Sequence, residues 1–244
     1  MKLLLSGEGK TDMGQNVPAP QGVELRPGPM AWIVSRLLEE QLQYSLLEQH
    51  RQGADSVHLI DEAELGRSAR AARRAGMRLA GIRYGRGNAY FTRNAELLGV
   101  RANELATDSG QPVIAVLFRD GDGTRATPRD EWQKKRDSIQ RGFYLVECYT
   151  GVAMVPRPKS DAWLLCGMKA RPYANCSALE DSPGNDHSPN SLKSQLIAVV
   201  GHEPYADEQS GWISSGRVDP ALIDMPSFNV FREDLRQIAE SIVA

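Results

Sequence analysis

The chain has 244 residues, 41 % hydrophobic and 25 % charged, with 29 Lys and Arg against 31 Asp and Glu and a formal net charge of −2. This is the composition of an ordinary globular protein with one sizeable core, and its bulk charge neither points to nucleic acid nor excludes it. No run of about 18 apolar residues occurs, and the apolar stretch after Lys2 stops at Leu5, so neither a membrane span nor a signal peptide is expected and the cytoplasm is the expected compartment.

Lys2 to Ser6 reads as a first strand leading into Gly7-Glu8-Gly9-Lys10-Thr11-Asp12, and the Pro/Gly-rich connection from Val17 to Pro29 cannot be regular helix. From Met30 to His50, Ile33, Leu37, Leu38, Leu42, Leu46 and Leu47 recur at helical spacing with Glu39, Glu40 and Gln43 between them, which predicts one long amphipathic helix. Val57 to Ile60 reads as a short strand or a helix lead-in, Glu62 to Gly76 as an Ala/Arg-rich helix, Leu79 to Tyr84 as a second strand, and about Asn88 to Leu105 as another helix. Pro112 opens the clearest strand, since Val113 to Arg119 is almost wholly apolar, as in a strand covered on both faces, and it runs into Asp120-Gly121-Asp122-Gly123. Pro128, followed by Asp130 and Glu131, opens a helix to about Gln140. Val152 to Val155 is a short strand stopped by Pro156 and Pro158, and Ser160 is placed to cap a helix holding Ala162, Trp163, Leu164 and Leu165. Pro172 to Pro189 reads as a loop, Ser191 to Val200 and Asn229 to Ile242 as closing helices, and Trp163 and Trp212 as core.

Alternating strands and helices predict an α/β sandwich around a mostly parallel sheet, and in such folds ligands bind at the carboxyl ends of the strands. Glu8, Asp120 and Asp122 follow apolar strands there, and three such carboxylates can hold Mg²⁺. Alternate residues of Asp120-Gly121-Asp122 point the same way in an extended chain, and the glycines let the backbone bend and approach a phosphate. Either motif taken alone is also an ordinary turn or helix cap. Cys148, Cys166 and Cys176 make neither an even disulfide set nor a CxxC pair, and only four histidines are scattered along the chain. Reduced buried thiols and no zinc are expected.

Glu8-Gly9-Lys10-Thr11-Asp12 after a first strand and Asp120-Gly121-Asp122 after a later one resemble the TOPRIM fold of topoisomerases, bacterial primases and overcoming-lysogenization-defect (OLD) nucleases. Val155-Pro156-Arg157-Pro158-Lys159-Ser160-Asp161-Ala162-Trp163-Leu164-Leu165, Asn190-Ser191-Leu192-Lys193 and Pro226-Ser227-Phe228-Asn229-Val230-Phe231 resemble a bacterial TOPRIM-like family often encoded beside an AAA-type ATPase in phage-defence loci; Asp161 stands where that family commonly has Glu. The resemblance implies a TOPRIM-like Rossmannoid domain over 1–170, with a helical insertion at about 28–108, and a helical C-terminal elaboration over 171–244. It further implies a nuclease using Mg²⁺ or Mn²⁺ held by Glu8, Asp120 and Asp122, with Asp161 as a further ligand. Glu8 would double as general base, and Lys10 or Lys159 would stabilise the pentavalent phosphate. An ATPase subunit is the implied partner; this chain contains no GxxxxGK[ST] loop of its own.

A second constellation is arginine-rich: Arg67, Arg70, Arg73, Arg74, Arg78, Arg83, Arg86 and Arg93 occur with no Asp or Glu between Glu64 and Glu96. Arg67, Arg70, Arg74 and Arg78 share one side of a helix, Tyr84, Tyr90 and Phe91 are available to stack on bases, and the patch suits nucleic acid as well as it suits a solvated face or an acidic protein partner. Two alternatives to a nuclease stand beside it. One is a non-catalytic TOPRIM-like binding or regulatory subunit. The other is a haloacid-dehalogenase-like phosphatase with Asp120 as nucleophile, against which count the late position of Asp120-Gly121-Asp122-Gly123-Thr124 and Arg125 at a usually apolar site. An EF-hand fails because Arg125 replaces the loop glycine. DNA or RNA as target and homo-oligomerisation stay open.

Overall fold

The computed structural model describes residues 1–20, 22–74, 89–122 and 129–243. In chain order these form β1 (Lys2–Gly7), the hairpin β2 (Gly14–Ala19) and β3 (Gly22–Pro27), α1 (Pro29–Leu42), α2 (Leu46–Arg51), β4 (Val57–Asp61), α3 (Glu62–Arg74) and α4 (Ala89–Ser109). Then follow β5 (Val113–Phe118), α5 (Arg129–Leu145), β6 (Gly151–Met154), α6 (Ser160–Met168), α7 (Leu192–Val200), α8 (Ala206–Ser214) and α9 (Pro226–Val243), with 3-10 turns at Cys176–Asp181 and Pro220–Leu222.

The fold is α/β: four strands in the order β4-β1-β5-β6 form a sheet whose pairings are all parallel, with helices on both faces. Every residue of β1 and β5 is buried. Their side chains alternate between two cores. Leu3, Leu5, Ile114, Val116 and Phe118 pack with residues of α1, α6 and α9, whereas Leu4, Val113, Ala115 and Leu117 pack with residues of α4 and α5. Each fully buried Leu or Phe contributes roughly 1.5–3 kcal/mol, so this two-sided burial fixes the strand register and with it the residues just past the strand ends. Gly142 lets α5 cross α4 closely, since a Cβ there would stand 2.2 Å from the Thr92 carbonyl oxygen. The C-terminal helices join the first core: Trp163 meets Phe228 edge-on at 4.8 Å and stacks on Phe231 at 5.8 Å.

Several sequence expectations need correction. The segment 30–50 is two helices: Gln43 adopts a left-handed φ of 63° and closes α1, and Ser45 then caps α2 by accepting from the Glu48 amide at 3.2 Å. The Pro/Gly-rich connection after Asp12 is the β2–β3 hairpin, and Asn16 donates to the Leu59 carbonyl at 3.0 Å beside β4. The stretch 28–108, read as a helical insertion, supplies β4 to the sheet. Ser160 does not cap α6; it is the first helical residue, after Lys159. Cys166 and Cys176 form a disulfide, because the end of α6 and the following 3-10 turn bring their Cα atoms to 5.3 Å; only Cys148 is free, and it is buried. The strand expected at Leu79 to Tyr84 lies outside the described residues. Trp163 and Trp212 are core residues, and no helix among the described residues is long and apolar enough to cross a membrane.

Candidate functional site

Parallel pairing places the exits of all four sheet strands on one edge. Ser6 is in register with Leu117, so Glu8 emerges beside the Arg119-Asp120 segment, and the Asp120 amide donates to Glu8 Oε1 at 2.7 Å. Beyond β5 the chain continues against the segment after β6: Gly121 N–H donates to Pro156 O and Asp122 N–H to Pro158 O, both at 2.9 Å. A Cβ on Gly121 would stand 2.6 Å from the Pro156 oxygen, so this glycine serves a close backbone crossing. Asp122 has a left-handed φ of 51° and turns its carboxylate outward, where it is 58 % exposed.

Two acids of the Glu8 loop and of α6 complete the cluster. Ser160 donates its amide to Asp120 Oδ1 and its hydroxyl to Asp12 Oδ1, each at 2.9 Å. Asp161 follows in the first turn of α6. Burial, together with the charges of Asp12, Glu8 and Asp122, holds the Asp120 carboxyl well above its usual range, with the Ser160 amide opposing. Burial raises Glu8 and Asp12 as well; the Asp120 amide, Arg119 and Lys135 oppose at Glu8, and Ser160, Thr11 and Lys159 oppose at Asp12. Asp161 is pushed up to about 6 by burial and by Asp12 and Asp186, against Lys159 and Lys193. Burial is the largest cause of all four upward shifts, and like charge adds to it at Glu8, Asp120 and Asp161 but not at Asp12.

The sequence-derived residues fare unequally. Glu8, Asp120 and Asp122 are neighbours, Asp161 lies beside Asp12 and Asp186, and the charges of Asp120 and Asp122 reach Lys159, whose Nζ is 2.9 Å from Asp186 Oδ1. Lys10 is exposed on the loop after Glu8. Arg67, Arg70 and Arg74 are exposed along α3, whereas Arg78, Arg83 and Arg86 lie outside the described residues. Sequence reasoning missed three groups. Asp12 reads as a cap until Ser160 is seen to bind it. Lys135 on α5 donates to the Asp120 and Gly121 carbonyls at 2.6 and 3.2 Å and stands 3.8 Å from Asp122 Oδ2. Arg119 is wholly buried beside Glu8, and its signal was a charged residue closing a strand otherwise covered on both faces.

Hard carboxylate oxygens are the donor set Mg²⁺ prefers. No three His, Cys, Asp or Glu side chains among the described residues are arranged to hold a metal ion as they stand. Glu8 and Asp120 each have one carboxylate oxygen engaged by a backbone amide, which fixes the direction of both side chains. The chain matches no family model, and no curated protein or solved structure shows significant similarity to it.

Proposed function

We propose that this protein is a Mg²⁺- or Mn²⁺-dependent nuclease that hydrolyses phosphodiester bonds at the acidic edge of its sheet. The observation that carries the proposal is the junction of Glu8 with the Asp120 amide, which brings together two acidic motifs 112 residues apart, with Asp12 and Asp122 close to Asp120. Glu8, Asp120 and Asp122 would hold the cation, with Asp161 and Asp12 alongside. A divalent ion bound there supplies positive charge for the attacking and leaving oxygens. Glu8, raised by burial, accepts the proton of the attacking water. Lys159 is the better placed of the two candidate lysines to meet the phosphate, because the charges of Asp120 and Asp122 act on it.

Nucleic acid as substrate is supported by the exposed Arg67, Arg70 and Arg74, and an AAA-type ATPase partner by the TOPRIM-like motifs alone. A second reading, a TOPRIM-like binding or regulatory subunit without activity, is favoured by the absence of a ready three-ligand arrangement among the described residues. Incubation with DNA and with total RNA in Mg²⁺, in Mn²⁺ and in EDTA, with and without the neighbouring ATPase, separates the two: metal-dependent cleavage supports the nuclease, and none under any condition supports the regulatory subunit.

A further inference from the structure

Arg119 is the residue before Asp120, and it is 0 % exposed. Its Nη1 donates to the Phe118 carbonyl at 3.0 Å, but Nε and Nη2 have no hydrogen-bond partner among the described residues. Glu8 and Glu62 are within electrostatic reach of the guanidinium, yet neither engages those two nitrogens. Tyr90, in the first turn of α4, lies over the group, with the guanidinium carbon 5.8 Å from the ring centroid, and its hydroxyl bonds the Glu62 carboxylate. Arg93 approaches the same ring at 5.9 Å, and its Nε is also buried without a partner.

Two guanidinium groups therefore share one aromatic ring, Arg119 next to Glu8 and Asp120, and three of their buried nitrogens, Nε of Arg93 and Nε and Nη2 of Arg119, are unpaired. Buried donors of native proteins are almost always paired, so an orphaned set of one polarity calls for an acceptor ligand. Guanidinium forks match phosphate oxygens in geometry as well as charge, and an anion is the ligand that tolerates Arg93 and Arg119 together. We propose that Arg119 and Arg93, both beside Tyr90, form a phosphate subsite that takes a phosphoryl group of the polynucleotide next to the scissile one. This rests on the nuclease reading of the neighbouring acids. Tyr90, tied to Glu62, covers Arg119 in the free protein and must turn aside for the phosphate to enter.

The test is equilibrium binding by the full chain in EDTA, so that no cleavage intervenes, of inorganic pyrophosphate and of a short oligothymidylate. Loss of one charge-assisted contact weakens binding by about tenfold or more, which is the change expected for Arg93→Gln and for Arg119→Lys. Tyr90→Ala uncovers the guanidinium and binds at least as tightly as wild type. Weakening confined to the oligonucleotide assigns the subsite to a backbone diester, and weakening with pyrophosphate as well assigns it to any phosphoryl group; both uphold it. Wild-type affinity in both arginine variants, or no binding of either probe by wild type, overturns it. Should Arg119→Lys fail to fold, Arg93→Gln decides alone. Binding that these variants lose, in a protein that cleaves nothing with Mg²⁺, would retain the subsite and remove the nuclease.

Discussion

The Ser160 hydroxyl donates to Asp12 at 2.9 Å across 148 residues of chain, while the amide of the same serine donates to Asp120. One residue at the head of α6 thus ties the loop after β1 to the turn after β5. Ser160→Ala removes only the first bond and leaves a good helix former in place. The expected loss is about 1–2 kcal/mol, read as a lower urea midpoint, and Ser160→Thr should recover most of it. An unchanged midpoint in the alanine variant would show that the Asp12 contact adds nothing.

Asp161 makes the stability of the cluster depend on pH. Its carboxyl is raised from 3.8 to about 6 by burial and by Asp12 and Asp186. A carboxyl whose folded pKa exceeds its unfolded one keeps a proton that the unfolded chain releases. Its contribution is therefore full below about pH 3.8 and is lost as pH rises through about 6. Asp161→Asn has no such loss, so its melting temperature should gain on wild type between pH 4 and pH 7.5. A difference that does not vary with pH would refute the assignment.

Lys135 holds the acidic turn from outside, through the Asp120 and Gly121 carbonyls. Lys135→Met keeps an unbranched side chain but frees both carbonyls and loses the ammonium that stands 4.9 Å from the Phe91 ring centroid. We expect a stability loss of about 1–3 kcal/mol and a higher Mg²⁺ concentration for half-maximal activity, because the turn that presents Asp122 loses its anchor. Wild-type stability together with a wild-type Mg²⁺ requirement would make the lysine a bystander.

Reversal of Arg70 and Arg74 to Glu should weaken nucleic-acid binding and flatten its salt dependence, since both side chains are exposed on α3. Salt titrations of a fluorescent oligonucleotide check this, and an unaltered slope would take that face out of substrate binding.

What the sequence displayed were the local features. Glu8 and Asp120 announce themselves because each follows an apolar run, and sheets deliver such residues to one edge. The break of the first long helix was also visible, in Ser45 three residues before Glu48, but uninterrupted leucine spacing masked it. Long-range partners were not visible. Nothing local distinguishes Lys135 from its neighbour Lys134, which pairs with Asp130 and Glu131 on the surface, until α5 is laid across the Asp120 turn. The odd count of cysteines hid the Cys166–Cys176 pair for the same reason, since proximity there depends on how the chain turns after α6.

The most direct test of the central claim is the single-turnover cleavage rate of DNA and RNA in Mg²⁺ or Mn²⁺ by wild type, Glu8→Gln and Asp120→Asn, each checked for wild-type folding by circular dichroism. If the joined carboxylates hold the catalytic cation, both variants lose activity by about 10²-fold or more with every substrate that wild type cleaves. Cleavage by either variant at the wild-type rate would contradict the account.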